Sequence, residues 1–165
     1  MGISRETDRE TPGRNRRSRS GVDQSVIETK IDTRVPGDKQ TILLVDDDAA
    51  VREFCSCVLR VCGFSVLEAE DGQHALRLAK EYRGSIHLLV TDVMMPRLSG
   101  KRLAEAISII RPETPVLFIS GSTSESLMRD ELIPVGVSIL AKPFAPQALM
   151  QRVRGAISGA QLMAM

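Results

Sequence analysis

Between residues 41 and 158, short runs of aliphatic side chains alternate with segments of helical period, and this alternation restricts the fold more than any other feature. The runs at Thr41–Val45, Ser65–Ala69, Ile86–Thr91, Pro115–Ser120 and Val137–Ala141 are strand-sized. Several are near-continuous Val, Ile and Leu, the composition of strands covered on both faces. Between them, Val51, Phe54, Cys55, Val58, Leu59 and Cys62 recur at i, i+3, i+4 and i+7, with Gly63 placed to stop the helix. Ala75, Leu78, Ala79 and Tyr82 repeat the pattern, as do Leu103, Ala106, Ile107 and Ile110, and later Leu149, Val153 and Ile157. A helix around Glu125–Leu132 is the weakest of the set, cut short by Pro134 and Gly136. Strands each followed by a helix imply right-handed crossovers, hence a five-stranded parallel sheet with helices on both faces, a doubly wound α/β sandwich of flavodoxin-like type. In such sheets ligands bind beyond the carboxyl ends of the strands, so the residues there decide the chemistry.

Residues 1–40 differ in kind. They carry nine Lys or Arg and seven Asp or Glu, with Pro12-Gly13 and Pro36-Gly37 and few large apolar side chains. We expect a disordered polar tail, with a short helix possible over Val22–Ile31. The run Arg14-Asn15-Arg16-Arg17-Ser18-Arg19 reads as a solvated arm rather than a nucleic-acid contact, because the whole chain has a net charge of only +1. One Tyr, four Phe and no Trp leave no aromatic platform for single strands. No window approaches the ~20 apolar residues of a membrane span, and the N-terminus has neither an apolar signal core nor Ser or Thr at position 6 for myristoylation. A soluble, cytoplasmic, reducing setting is expected, without membrane or nucleic-acid partners. Cys55, Cys57 and Cys62 lie on one helix, with Cys57 opposite the other two, so they read as small packing residues and not as a metal site.

The strand ends hold a strongly polar set. Asp46, Asp47 and Asp48 follow the first strand, Asp92 the third, Ser120 and Gly121 the fourth, and Lys142 and Pro143 the fifth. Asp48 is placed to cap the next helix. The remaining carboxylates repel one another unless a cation joins them, and hard oxygen donors of this kind suit Mg²⁺. Neither G-x-x-x-x-G-K-[ST] nor G-x-G-x-x-G occurs, so nucleotide loops of those types are excluded. The acidic first loop likewise repels the phosphate of a flavin. His74 and His87 stand apart from any nucleophile motif and read as surface or strand-end residues.

Taken in order, Ile-Leu-Leu-Val-Asp46-Asp47-Asp48, Glu70-Asp71-Gly72, Thr91-Asp92-Val-Met-Met-Pro96, Leu98-Ser99-Gly100 and Lys142-Pro143-Phe144 resemble the receiver domain of two-component response regulators. The resemblance spans about residues 41–158, and we set the domain at 41–160 behind the 1–40 tail. The stretch from Arg111 to Gly121 looks most like receivers attached to hybrid histidine kinases. The resemblance implies that Asp92 is the phosphoacceptor, taking a phosphoryl group from a histidine kinase or histidine phosphotransfer protein. It implies that Asp46, Asp47, Asp92 and the Met94 backbone carbonyl hold Mg²⁺, that Lys142 pairs with Asp92, and that Ser120 donates to a phosphoryl oxygen. It also implies a cis peptide before Pro143. Such a module catalyses its own phosphorylation and hydrolysis and is otherwise no enzyme.

Three positions depart from the pattern. Ile139 stands where many receivers carry Tyr or Phe, so aromatic coupling to the strand-four hydroxyl is not expected. Ser99 replaces a common Asp, and Met94 sets a bulky apolar side chain beside the site. With the chain ending at residue 165, output is expected through protein contacts in a phosphorelay. The competing reading is a Mg²⁺-dependent aspartyl phosphatase with Asp46 as nucleophile, because Asp46-x-Asp48 has that spacing. Ala50 stands where that pattern wants Thr or Val, and Asp92 would be superfluous.

Overall fold

In the computed structural model, the structure describes residues 39–121 and 137–163. The elements run β1 (Thr41–Val45), α1 (Ala49–Val61), β2 (Ser65–Ala69), α2 (Gly72–Glu81), β3 (Leu88–Asp92), α3 (Gly100–Ile110), β4 (Val116–Ser120), β5 (Ser138–Ala141) and α4 (Pro146–Met163). The expected tail, its short helix and the helix over Glu125–Leu132 lie outside the described residues. Five parallel strands pair in the order β2-β1-β3-β4-β5. The doubly wound α/β architecture is therefore present, with the change of winding direction between β1 and β3.

Both faces of β1 are buried, and its side chains divide by parity. Ile42 and Leu44 join Cys55 and Leu59 of α1 and Leu149, Val153 and Ile157 of α4 in one core. Leu43 and Val45 face the other way, against Ala75 and Ala79 of α2 and Leu103 and Ile107 of α3. This two-sided burial is why the strand sequences are near-continuous apolar runs. The helices begin on side-chain caps. Asp48 accepts the Ala50 and Val51 amides, Asp71 accepts that of His74, and Ser99 accepts that of Arg102. Gly63 closes α1 with φ +93°, a conformation that favours glycine.

The expected boundaries shift where side chains take over backbone partners. β3 starts at Leu88 and not Ile86, whose carbonyl accepts the Thr114 hydroxyl at 2.9 Å. β4 starts at Val116, since Pro115 has no amide for the ladder, and β5 starts at Ser138. α4 reaches Met163. Phe54 and Ile110 were placed on apolar helix faces, yet they are 40% and 39% exposed, because each sits at the margin of its buried stripe. Cys62 is the C-cap of α1 and lies exposed, beyond the packed face it was expected to share with Cys55.

Cys55 is buried, while Cys57 and Cys62 are exposed. Burial first, with the Asp46 carboxylate second, pushes the Cys55 thiol up to about 11. Alkylation of the native protein at neutral pH is therefore expected to mark Cys57 and Cys62 and to reach Cys55 only on unfolding. Peptide mapping after a short pulse of iodoacetamide checks this, and rapid native labelling of Cys55 would contradict its packing. No helix among the described residues is long and apolar enough to cross a membrane.

Candidate functional site

The carboxyl ends of β1 and β3 adjoin in the sheet, so the residues that follow them are brought together. Asp46, the first residue after β1, is only 1% exposed. Its Oδ1 accepts the Asp48 amide at 3.0 Å and its Oδ2 accepts Lys142 Nζ at 2.9 Å. Arg52, in the first turns of α1, donates Nη1 to the Asp46 carbonyl oxygen at 2.6 Å and steadies the turn from outside. Asp47 is exposed, and Asp48 is occupied with capping α1. Asp48 thus serves the helix through Oδ1, the capping role expected of it.

Asp92 closes β3 and is 8% exposed. Its two carboxylate oxygens are assigned separately. Oδ1 accepts the Met94 amide at 2.8 Å, and Oδ2 accepts Lys142 Nζ at 2.5 Å. The Asp92 carbonyl takes the Thr91 hydroxyl at 3.0 Å. Lys142, just beyond β5, is fixed from behind by its own amide, which donates to the Ser120 carbonyl at 2.7 Å, and it precedes a cis bond to Pro143 as expected. Ser120 ends β4, 1% exposed. The Met94 side chain is 61% exposed beside the site.

The electrostatics follow from burial and one shared cation. Burial pushes the Asp46 carboxyl above the usual range, against the pull of Lys142 and the Asp48 amide. Burial also works against the Lys142 charge, but hydrogen bonds to Asp92 and Asp46 outweigh it and hold the ammonium above its ordinary value. An ammonium has only donors, so one side chain serves both acids. One oxygen from each of Asp46, Asp47 and Asp92 lies within 4.8 Å of the others. Three hard oxygen donors, two of them buried, form a cluster that can hold a metal ion.

Of the residues expected from the sequence, Asp46, Asp92 and Lys142 are joined by direct bonds and Asp47 belongs to the same cluster. Ser120 joins through its backbone and Met94 through its amide. Ile139 pairs with Phe118 in the β4–β5 register and packs with Val93, so apolar contact occupies the place of the usual aromatic ring. His87 accepts the Thr41 amide through Nδ1 at 3.0 Å, a structural role. Arg52 was not anticipated, and Thr91 and Gly100 stood in the quoted motifs without a role. Gly100 has the clearest reason, because a Cβ there would sit 2.1 Å from the Asp92 carbonyl oxygen. An open hollow of about 530 Å³ beside the lysine is lined by Ala50, Val51, Phe54, Lys142, Pro143 and Phe144.

A doubly wound sheet that joins carboxylates from β1 and β3 to a lysine from β5 defines a receiver-type signalling module. A family model described as the response regulator receiver domain matches residues 42–154. The chain belongs to that family and is a receiver domain of two-component systems. It is 32% identical over 114 residues to the sensor kinase CckA of Brucella abortus, a match covering 69% of this chain but 12% of that protein. It is 32% identical over 112 residues to the response regulator receiver protein CpdR of the same organism, covering 68% of this chain and 92% of that one. Among solved structures, the receiver domain of the hybrid histidine kinase CckA superposes with a TM-score of 0.60 at 38% identity, covering 71% of this chain and 98% of that one.

Proposed function

We propose that Asp92 accepts a phosphoryl group and that the resulting acyl phosphate switches the protein-protein contacts of a phosphorelay. The observation that carries this reading is the Lys142 ammonium, which bridges Asp92 Oδ2 at 2.5 Å and Asp46 Oδ2 at 2.9 Å. An oxygen of the Asp92 carboxylate attacks phosphorus, an O–P bond forms, and the P–N bond of a donor phosphohistidine breaks with its electron pair leaving on the imidazole. Lys142, already at Asp92, stabilises charge spreading onto the phosphoryl oxygens, and the Ser120 hydroxyl donates to one of them. Asp46, Asp47 and Asp92, with the Met94 carbonyl, would hold Mg²⁺. When bound, that ion offsets the negative charge of carboxylates and phosphoryl oxygens together.

The likeness to a sensor kinase and to the receiver of a hybrid histidine kinase supports a histidine kinase or histidine phosphotransfer protein as donor. The setting is cytoplasmic, and phosphoryl transfer with its reversal by hydrolysis is the only chemistry the module performs. Incubation with acetyl phosphate and Mg²⁺ is expected to add one phosphoryl group per chain by intact-mass measurement, and chelation with EDTA to abolish the gain. Equal phosphorylation with and without the chelator would remove the metal from the scheme. No gain from acetyl phosphate, and none from a panel of phosphorylated histidine kinases, would overturn the assignment.

A further inference from the structure

Arg97 adopts φ +67°, the one left-handed non-glycine residue among those described. That region is uncommon for residues with a Cβ, and such a conformation persists only where its surroundings enforce it. Two contacts across the structure enforce it here. The Arg97 guanidinium meets Asp71 Oδ2 at 2.5 Å, and Asp71 is a mostly buried acid, its side chain 12% exposed. The neighbouring Leu98 packs so tightly on Gly72 that a Cβ at Gly72 would lie 2.8 Å from it. Residues 93–99 are thereby tied to the start of α2 at their far end. At their near end they meet the site, where Met94 donates its amide to Asp92 Oδ1 at 2.8 Å and Val93 accepts the Gly100 amide at 3.0 Å.

Asp71 does not need Arg97 to start its helix. Its Oδ1 accepts the His74 amide at 2.7 Å, leaving Oδ2 to the arginine. The ion pair therefore bears on the loop more than on α2. If the loop relaxed, the Met94 amide would leave Asp92, and one of the two oxygens would lose the bond that aims it. Geometry of this kind governs metal affinity, since groups that orient ligands are worth about tenfold or more.

We propose that Arg97 is a positioning residue: its ion pair with Asp71 holds the 93–99 loop so that the Met94 amide keeps the Asp92 carboxylate turned toward Asp46 and Asp47. The inference rests on the reading of Asp46, Asp47 and Asp92 as a metal site. It separates two effects that usually travel together. Arg97→Gly removes the ion pair and at once relieves the left-handed backbone, which offsets the loss in stability, so site geometry can fail while stability holds.

The experiment measures Mn²⁺ binding to the full chain by electron paramagnetic resonance, alongside thermal unfolding in EDTA. Arg97→Gly is expected to weaken Mn²⁺ binding roughly tenfold while its Tm in EDTA equals or exceeds that of the wild type. Arg97→Lys regains part of the affinity by keeping a cation near Asp71. Asp71→Asn keeps an oxygen for the His74 amide but matches the affinity loss, and the double variant Asp71→Asn with Arg97→Gly is no worse than either single change. Wild-type affinity in Arg97→Gly would overturn the inference alone, as would a loss that merely follows a fall in Tm. A wild-type chain that binds no Mn²⁺ would overturn the metal reading, and this inference with it.

Discussion

The Asp92→Asn chain, incubated with acetyl phosphate and Mg²⁺, is expected to show no phosphoryl addition by intact mass. The substitution keeps the shape of the side chain and an oxygen for Lys142 or the Met94 amide, the partners of the native carboxylate at 2.5 and 2.8 Å. It removes the anionic nucleophile, and an amide oxygen forms no stable acyl phosphate. Asp46→Asn separates the two chemistries that an acidic first loop allows. In a receiver, that change weakens the metal cluster and slows phosphorylation while leaving Asp92 as the modified residue. Were modification to persist in Asp92→Asn and vanish in Asp46→Asn, Asp46 would be the nucleophile. Both acids bond to Lys142, so burial separates them: an attacking oxygen must reach the donor, and Asp46 is 1% exposed against 8% for Asp92.

The second large effect is expected from a single methyl group. Gly100→Ala would place a Cβ 2.1 Å from the Asp92 carbonyl oxygen and 3.1 Å from the Val93 Cα, both of them backbone atoms with little freedom to retreat. Overpacking against backbone of this kind costs about 3 kcal/mol. For a domain of this size the loss lowers Tm by roughly 10 °C, readable by calorimetry. Phosphorylation should slow as well, since the displaced backbone carries the Asp92 side chain. Gly155→Ala is the matched control. It lies within α4, a Cβ there meets nothing within 4 Å, and the change should raise stability by about 0.5–1 kcal/mol through helix propensity. A Gly100→Ala protein as stable as the wild type would show that the loop yields easily, and would weaken every argument made from its rigidity.

The periodicity of the sequence was enough to locate the strands and helices because both faces of the central strands are covered, so burial writes itself into β1, β3 and β4 as near-continuous apolar runs. It was less informative at element ends, where hydrogen bonds decide. Ile86 is as apolar as any strand residue, but its carbonyl belongs to the Thr114 hydroxyl. Phe54 and Ile110 fit a helical stripe and still lie at its margin, since spacing gives angle around a helix and not depth against a neighbour. In the site, Asp46, Asp92 and Lys142 could be picked out as polar groups at the ends of buried strands. The Lys142–Asp92 pair came from the resemblance, whereas the second bond of Lys142, to Asp46, was legible in neither spacing nor motif. Arg97 meets Asp71 across 26 residues, and the motif that contains Gly100 does not reveal the backbone it touches. Arg52 shows the same limit on a shorter scale, since its target is a carbonyl oxygen that every residue possesses.

Lys142 lies 96 positions from Asp46 and 50 from Asp92, the two acids its ammonium joins. During translation the carboxylates leave the ribosome long before the cation that balances them, so an unfinished chain carries the acids without their counter-charge. Chemical competence thus arrives with the last strand of the sheet. A fragment ending before β5 can retain Asp46, Asp47 and Asp92, but it lacks the side chain that holds two of them together, and only a chain synthesised and folded through its fifth strand can offer a complete site to a donor.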